Sequence, residues 1–471
     1  MAEPLWQWDE LSAAAGARIE GTPSNPVTGF SIDTRTINPG DVFVALKDAR
    51  DGHEFVGQAF KAGAAAAIVA QGYARQPGDG ALLRVDDPLR ALEGVGRAAR
   101  IRADAKIVAV TGSVGKTGTK EALRLCLSVL GATHASEKSY NNHWGVPLTL
   151  ARLPKSAQYG VFEIGMNHAG EITPLTQMVR PHVAVITTVE PVHLAQFQSV
   201  EEIAEAKAEI LQGLVPGGTA VLPRDNAHFP LLHDHAMRIG ARLLTFGYHD
   251  EADFRCVQVD LGPKGSSVIA GQGSQRFPYK VGAPGEHFVR NSLAVLATLR
   301  ALGVDIMKAL PALASVSAAT GRGARTLLGE PDAHVLLIDE SYNANPASMR
   351  AALAAMATTP REEFPRRIAV LGDMLELGNA AEALHRSLKE AVDAAGTDLV
   401  FACGPNMKLL MDDLAPVRRG SWAASSAELT DALLEAVRPG DVVMIKGSLG
   451  SRMAPLVAAM LARFGKPPGG S

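Results

Sequence analysis

The chain has few cysteines, few aromatic residues and no excess of charge of one sign. Its 471 residues include only 3 cysteines, Cys126, Cys256 and Cys403, which lie far apart without the spacing of metal ligands. A disulfide framework needs several cysteines in a short chain, and a zinc site needs ligand pairs a few residues apart. The cysteine content argues against both, and we expect three buried, unreactive thiols.

Charge and hydropathy argue against two further classes of protein. Lysine and arginine number 46 and aspartate and glutamate 49, so the formal net charge is −3. No field of one sign points to nucleic acid or to an anionic lipid surface. No apolar run approaches the roughly 20 residues of a membrane-spanning helix, and the first residues lack the basic and apolar regions of a signal peptide. We expect a cytoplasmic protein that acts on small molecules, without nucleic-acid or membrane partners.

The chain does contain a stretch that predicts a phosphate-binding loop. In residues 106–121 a β-branched apolar run meets Gly112-Ser113-Val114-Gly115-Lys116-Thr117 and continues into a helical pattern. Glycines let backbone N–H groups close on phosphate oxygens, and the start of a helix adds its positive dipole end. Lys116 would reach the terminal phosphates and Thr117 would bind Mg²⁺. Val110 stands at the first glycine position of the usual pattern. A plain tight turn would explain the glycines but not the Lys-Thr pair behind them.

The length of the chain and the alternation of its segments predict three α/β domains. We place a small α/β domain at residues 1–105, a central domain of P-loop ATPase type with a mainly parallel sheet at 106–320, and a C-terminal domain of dinucleotide-fold type at 321–471. The last assignment rests on strand patterns that alternate with helical patterns.

The first domain carries polar turns whose role the residues alone leave open. Residues 28–47 contain two short strand patterns around a polar turn, which predicts a hairpin-like unit. Asp33, Arg35 and His53 are either solvated turn residues or ligand contacts.

Three ionisable residues of the central domain stand where a nucleotide-dependent enzyme needs them. Glu163 ends a buried strand pattern, where a carboxylate would hold Mg²⁺. His193 follows a further strand, although a lone histidine is more often structural than a ligand. Lys207 shares an apolar helix face with Ile203 and Ile210. Burial would lower the pKa of Lys207 and favour a neutral amine that reacts with carbon dioxide to form a carbamate. A lysine whose head reaches water is the alternative.

Other polar segments allow a structural and a ligand-binding interpretation alike. Asn141 and Asn142 form either a ligand-facing loop or an Asx-type turn. Asn291 would contact a base edge or cap its helix. Arg322, between two glycines, suits a hinge that carries a charge toward phosphate, or a plain linker.

Together these motifs resemble the ATP-dependent Mur ligases of bacterial peptidoglycan synthesis over nearly the whole chain. The motifs shared with the whole family are Thr111-Gly112-Ser113-x-Gly115-Lys116-Thr117, Glu163 with Gly165, His193, Ala206-Lys207-x-Glu209, Asn291 and Arg322. Those typical of the member that adds a dipeptide are Glu163-x-Gly165-x-Asn167, Asp339 through Tyr342-Asn343-Ala344-Asn345-Pro346, and Leu371-Gly372-Asp373-Met374-x-Glu376-Leu377-Gly378. Val114 and Glu340 depart from the residues that are common in the family.

The resemblance implies a role for each matched residue. For ATP it implies Thr111, Gly112, Ser113, Gly115, Lys116 and Thr117 at the phosphates, Asn291 at adenine, Arg322 at the γ-phosphate and Asp339 at the ribose. For catalysis it implies Lys116, Glu163, His193, Lys207 and Arg322, with the metal held by Thr117, Glu163, His193 and carbamylated Lys207. For the other substrates it implies Ser31, Asp33, Thr34, Arg35, Asp51, His53, Asn141, Asn142, Tyr342, Asn343, Asn345, Lys446 and Ser448.

The resemblance also implies an activity. We expect a monomeric ligase that uses ATP and Mg²⁺ to join D-alanyl-D-alanine to UDP-N-acetylmuramoyl-tripeptide through an acyl phosphate. Another amide ligase of Mur or folylpolyglutamate type would be distinguished by the amine that stimulates ADP release. A P-loop ATPase switch that acts through a protein partner would hydrolyse ATP without an amine, and it leaves the first domain unexplained. The sequence leaves open whether the third residue of the tripeptide is diaminopimelate or lysine.

Overall fold

The chain folds into three β-sheets that follow one another along the sequence, each flanked by helices. The computed structural model describes residues 4–23, 25–137, 139–192, 194–330 and 333–465. The predicted α/β class with three domains is confirmed, while the domain bounds at residues 105 and 320 remain predictions. Within the described ranges, no helix has the length and apolar content needed to cross a membrane.

The first sheet has the strand order β1-β5-β4-β3-β2, and only β1 runs antiparallel to its neighbour. Its elements are α1 (Trp8–Ala15), β1 (Arg18–Glu20), β2 (Gly29–Ser31), β3 (Asp41–Val44), α2 (Val56–Lys61), β4 (Ala66–Ala70), β5 (Ala81–Val85) and α3 (Pro88–Arg102). The predicted hairpin over residues 28–47 is wrong, because β2 and β3 pair in parallel. A hairpin needs a loop of about two to five residues. The longer segment between these strands makes a 3₁₀ turn (Thr34–Thr36) and returns the chain to the edge of the sheet at which β2 begins.

The second sheet has nine strands in the order β14-β13-β12-β11-β10-β9-β6-β8-β7. Its elements are β6 (Lys106–Thr111), α4 (Lys116–Ser128), β7 (Thr133–Ala135), α5 (Gly145–Ala151), β8 (Tyr159–Glu163), α6 (Ile172–Val179), β9 (Val183–Ile186), α7 (Val200–Ala208), β10 (Thr219–Pro223), α8 (Phe229–Arg238), β11 (Arg242–Gly247), β12 (Phe254–Gly262), β13 (Gly265–Gln272), β14 (Gln275–Val281), α9 (Glu286–Ala301) and α10 (Ile306–Ala309). The strands from β7 to β12 are parallel, and β13 and β14 extend the sheet antiparallel. Because β6 lies between β8 and β9, the loop after β6 is flanked by the carboxyl ends of both neighbours.

The third sheet has the order β15-β16-β20-β17-β18-β19, parallel except for β15. Its elements are β15 (Ala324–Glu330), β16 (Ala333–Glu340), α11 (Pro346–Ala357), β17 (Arg366–Gly372), α12 (Ala381–Arg386), α13 (Leu388–Ala394), β18 (Leu399–Cys403), α14 (Pro405–Asp413), β19 (Arg419–Ala423), α15 (Ser426–Ala436), β20 (Asp441–Lys446) and α16 (Ala454–Phe464). The mostly parallel sheet and the alternation of its strands with helices agree with the predicted α/β arrangement, whereas the order of the strands differs from that of the dinucleotide fold.

The first two sheets share one hydrophobic core, and the third has cores of its own. A single cluster of buried side chains runs from Leu83 in β5 through Leu92 in α3 to Leu148 in α5. Polar contacts reinforce this junction, because the Trp6 indole N–H donates to the Ala151 carbonyl at 2.9 Å. Separate clusters cover the two faces of the third sheet. The first two domains therefore form one packed body, to which the C-terminal domain is joined.

Candidate active site

The loop after β6 has the geometry of a phosphate-binding loop. Gly112 and Gly115 have φ angles of +148° and +88°, and α4 begins at the next residue, Lys116. A Cβ on Gly112 would lie 2.0 Å from the Thr187 hydroxyl oxygen, and one on Gly115 would lie 2.7 Å from the Asn291 side-chain oxygen. Both positions therefore require glycine. The predicted sequence of strand, glycine loop and helix is confirmed.

The Lys116 side chain is turned back over this loop. Its ammonium group donates to the Gly112 carbonyl oxygen. Burial lowers the pKa of Lys116, the Glu163 carboxylate opposes that shift and the charge of Arg322 adds to it. The ammonium group thus lies among the carbonyls of the loop, with one acidic and one basic side chain near enough to act on it.

Glu163 is held by neutral hydrogen-bond donors rather than by a cation. Its side chain is 1% exposed, and its two carboxylate oxygens accept from the Thr117 hydroxyl at 2.9 Å and the Asn141 amide at 2.8 Å. Within the described part of the chain, it forms no ion pair with lysine, arginine or histidine. A buried carboxylate without a paired charge costs free energy unless a cation binds to it.

The oxygens of Thr117 and Glu163 fit a magnesium ion. Mg²⁺ prefers hard oxygen ligands and keeps several waters, so one or two protein ligands suffice beside substrate phosphates. Among the residues that the structure describes, no group of three histidine, cysteine, aspartate or glutamate side chains could hold a metal alone. The predicted metal ligand His193 lies outside the described residues.

Lys207 is buried on α7, as its position on the apolar stripe predicts. Its side chain is 2% exposed. The described residues provide no hydrogen-bond or ion-pair partner for its amine. Burial, and then the charge of Lys116, lower the pKa of Lys207 well below its usual range. The alternative of a lysine whose head reaches water does not apply to a side chain buried so deeply, and the burial shifts Lys207 toward the neutral amine.

A large cleft of about 1390 Å³ lies between the central and C-terminal domains. Its lining contains these predicted residues: Ser113, Gly115, Lys116, Thr117, Asn141, Asn142, Glu163, Asn291, Arg322, Tyr342, Asn343, Asn345 and Lys446. The phosphate loop, the Glu163 carboxylate and residues of the C-terminal domain thus line one cavity, although they come from distant parts of the sequence. Five predicted residues of the described central and C-terminal domains lie outside this lining: Thr111, Gly112, Lys207, Asp339 and Ser448.

Arg322 reaches from the C-terminal domain across the cleft. Its guanidinium group stacks over the Tyr342 ring, 4.2 Å from the ring centre, and donates to the Ser139 hydroxyl at 3.3 Å. The turn that carries it is fixed by Asp339, which is 7% exposed and accepts from the Gly321 N–H at 2.9 Å. Asp339 also accepts from the Ser341 hydroxyl at 2.6 Å. Its oxygens are therefore engaged within the chain, and its predicted contact with the ribose stays a prediction.

Three of the predicted substrate residues in the C-terminal domain also hold the local structure. Asn345 caps α11 by accepting from the Ser348 N–H at 2.9 Å. Lys446 is 2% exposed and donates to the Glu340 carboxylate at 3.1 Å and to the Asn343 carbonyl at 2.9 Å. The Ser448 hydroxyl accepts from the Leu375 N–H at 2.9 Å. These bonds shape the wall of the cleft.

The predicted UDP-contacting residues form a second group, at the edge where β2 and β3 end. Asp33 caps the 3₁₀ turn that follows Ser31 by accepting from the Arg35 N–H at 2.9 Å. His53 Nδ1 lies 2.6 Å from an Asp51 carboxylate oxygen, and its Nε2 accepts from the Ala70 N–H at 2.9 Å. His53 therefore carries its proton on Nδ1. Neither Thr34 nor any other member of this group lines the cleft.

Sequence reasoning missed Glu190, which lines the cleft beside the phosphate loop. The Ser113 hydroxyl accepts from the Glu190 N–H at 2.9 Å, and the Thr188 hydroxyl donates to its carboxylate at 3.0 Å. Burial raises the pKa of Glu190. The sequence does contain the same pattern at both sites, because Glu190 is an acid just past the carboxyl end of β9, as Glu163 is an acid at the carboxyl end of β8. The sequence also did not predict the ion pair between Arg290 and Asp225, in which a guanidinium nitrogen lies 3.0 Å from a carboxylate oxygen.

Comparison with known proteins identifies the family. Residues 110–299 match the Mur ligase middle domain, and residues 326–449 match the Mur ligase, glutamate ligase domain. The UDP-N-acetylmuramoyl-tripeptide–D-alanyl-D-alanine ligase of Escherichia coli strain K12 is 34% identical, covering 91% of this chain and 92% of that protein. The Bacillus subtilis protein of the same name is 31% identical, covering 94% and 96%.

Solved structures agree with the sequence relatives. The crystal structure of MurF from Acinetobacter baumannii matches with a TM-score of 0.84 at 29% identity, covering 98% of this chain and 100% of that one. The MurF ligase from Thermotoga maritima in complex with ADP matches with a TM-score of 0.76 at 26% identity, covering 93% and 98%. The chain belongs to the Mur ligase family, and the two sequence relatives named above, which it matches over more than nine-tenths of its length, are UDP-N-acetylmuramoyl-tripeptide–D-alanyl-D-alanine ligases.

Proposed function

We propose that this chain is an ATP-dependent amide ligase that joins the terminal carboxylate of UDP-N-acetylmuramoyl-tripeptide to the amine of D-alanyl-D-alanine, a step of peptidoglycan precursor synthesis. The observation that carries the proposal is that one cleft brings Lys116 and Glu163 of the central domain to Arg322 and Asn343 of the C-terminal domain. The names of the relatives supply the two substrates. The ADP complex of the Thermotoga maritima protein supports ATP as the phosphoryl donor.

The reaction takes place in two steps. A carboxylate oxygen of the tripeptide attacks the γ-phosphorus, the bond to ADP breaks, and an acyl phosphate forms. The dipeptide amine then attacks the acyl carbon, loses a proton and displaces inorganic phosphate. Negative charge develops on phosphoryl oxygens in the first step and on the former carbonyl oxygen in the second. The Lys116 ammonium and the Arg322 guanidinium offset that charge.

The Thr117 hydroxyl and the Glu163 carboxylate would hold Mg²⁺, which would neutralise charge on the ATP phosphates. Asn141 fixes the orientation of Glu163 through its hydrogen bond. Lys207, as a neutral amine, would attack carbon dioxide and lose a proton to give a carbamate anion. Its burial and the lowered pKa support this modification. His193 would join these ligands.

The edge of the first sheet would bind the UDP end of the substrate. Ser31 is the last residue of β2, Asp33 and Arg35 come directly after it, and His53 lies in the segment after β3, at the carboxyl ends of parallel strands. Ligands of open α/β sheets bind at such ends. We accordingly assign residues 1–105 to UDP-substrate binding, 106–320 to ATP and 321–471 to the dipeptide. All these groups come from one chain, which supports a monomeric enzyme. The use of ATP and UDP-linked precursors supports a cytoplasmic location.

The test is phosphate release from ATP by the purified protein with UDP-N-acetylmuramoyl-tripeptide, with and without D-alanyl-D-alanine. We expect multiple turnovers only when both substrates are present, and a product whose mass equals the sum of both substrates minus one water. Phosphate release that does not depend on the dipeptide would contradict the proposal. Stimulation by a free amino acid in place of the dipeptide would instead assign the chain to a sister ligase.

A further inference from the structure

The cleft continues into a groove between α3 of the first domain and α6 of the central domain. Leu175 and Met178 of α6 form an apolar floor, with exposed fractions of 5% and 3%. Arg90, Glu93 and Arg97 line its other side, and they share one face of α3 because they are three and four residues apart.

The groove belongs to the same cavity as the phosphate loop and Glu163. α3 begins just after β5, at the edge where the parallel strands of the first sheet end. α6 begins a few residues after β8, whose last residue is Glu163. A substrate whose carboxylate reaches Glu163 can therefore extend its peptide part into this groove.

The acids of the groove already have partners. Glu93 accepts from the Arg90 guanidinium at 3.0 Å. Glu171, directly before the first residue of α6, accepts from the Asn167 N–H at 2.8 Å and lies 2.9 Å from His168 Nδ1.

Arg97 differs from the other arginines that line the cleft. Arg124 pairs with Glu121 at 2.8 Å and Arg290 with Asp225 at 3.0 Å. Arg97 has no hydrogen bond or ion pair with any described residue. The groove thus contains one cation that lacks a counter-ion beside an apolar floor, which is complementary to an anionic group on a short aliphatic chain.

We propose that the groove between α3 and α6 binds a carboxylate of the peptide part of the substrate through the Arg97 guanidinium. This inference rests on the proposed function. One solved neighbour is the UDP-N-acetylmuramoylalanyl-D-glutamyl-2,6-diaminopimelate–D-alanyl-D-alanyl ligase of Acinetobacter baumannii, whose name specifies a glutamyl and a diaminopimelyl residue. A glutamyl residue within a peptide keeps one free carboxylate, and a diaminopimelyl residue has a distal carboxylate that lysine lacks. Both present the same chemistry to Arg97.

The experiment measures KM for the UDP-tripeptide in two forms, one with diaminopimelate and one with lysine at the third position. The variants are Arg97→Gln and Arg97→Lys. The matched control is Arg238→Gln, which removes an exposed arginine of α8 outside the cleft lining. Loss of a charge-assisted hydrogen bond should raise KM by about 10-fold or more in Arg97→Gln. We expect kcat and the KM values for ATP and dipeptide to stay within about threefold, and Arg97→Lys to recover part of the loss.

The pattern of KM identifies the source of the carboxylate. A rise confined to the diaminopimelate form assigns the distal carboxylate to Arg97, and an equal rise for both forms assigns the glutamyl carboxylate. Unchanged KM for both forms in Arg97→Gln would overturn the proposal, as would an equal rise in the KM for ATP, which would indicate a general disturbance. A wild-type protein that makes no product from either form would contradict the proposed function instead.

Discussion

Lys207 offers a sharp test of the site because its burial has an effect on stability as well as on catalysis. Replacement by methionine keeps the length of the side chain and removes an amine that is 2% exposed and lacks a partner among the described residues. A buried polar group without a hydrogen bond costs about 1–3 kcal/mol. We therefore expect Lys207→Met to unfold at higher urea concentration than the wild type near neutral pH, although it loses ligase activity.

The pH dependence follows from the lowered pKa of Lys207 in the folded protein. Between that lowered pKa and the ordinary value of 10.5, the unfolded chain binds a proton that the folded chain does not. Stability conferred through this group therefore rises with pH in that window. The advantage of Lys207→Met should shrink by about 1.4 kcal/mol for each pH unit across that window, down to the pH-independent cost of the buried neutral amine.

The assay is urea unfolding at several pH values in metal-free buffer without carbon dioxide, so that the amine stays unmodified. The quantity compared is the midpoint difference between variants, because a chain with three sheets need not unfold in one step. Lys155→Met, at an exposed position, is the control and should show no such trend. A variant less stable than wild type at pH 7, or a difference that does not change with pH, would refute the assignment of a neutral buried amine.

Three further predictions follow from the site. Glu163→Gln keeps the size of the side chain but removes the charge that would hold Mg²⁺, so kcat should fall by about 10³-fold. Unchanged turnover at saturating Mg²⁺ would contradict the assignment of Glu163 as a metal ligand. Arg322→Ala should lower single-turnover phosphoryl transfer by about 10³-fold with little change in ATP affinity measured by calorimetry; a loss of affinity without a loss of rate would count against a role in the transition state. Glu340→Gln leaves the buried Lys446 ammonium without its counter-ion, so thermal unfolding should show a destabilisation of about 3–5 kcal/mol, whereas an unchanged midpoint would mean that the pair contributes little.

Local patterns predicted much of the fold. The glycine loop, the parallel strands and the buried face of α7 follow from residue spacing and from the conformations that glycine allows. The pairing of β2 with β3 was mispredicted, because the direction of a strand depends on how the intervening chain is folded and not on the strand residues themselves. The sequence patterns also did not predict that β13 and β14 extend the central sheet in the antiparallel direction.

The site was harder to predict because several residue types serve two purposes. Asn345 stands in a motif typical of the family member that adds a dipeptide, yet the run from Asn345 through Pro346 to Ser348 is also the pattern of a capped helix start, and the structure uses it as such. Asp339 likewise fixes the Arg322 turn through its hydrogen bond with Gly321. Spacing along the chain reports which residues are near one another in a helix or turn, but the meeting of α3 with α6 depends on the packing of two domains.

The short connection between the packed body and the C-terminal domain affects how much affinity these two parts of the protein need for each other. The chain passes between them through Gly321 and Gly323, both with positive φ angles of +75° and +101°. Such a short tether keeps the partners at an effective concentration on the order of millimolar, whatever their mutual affinity. The C-terminal domain can therefore bind its partner surface weakly and still find it at once. We expect that the domain can also move away without being lost, so that product can escape after each turnover.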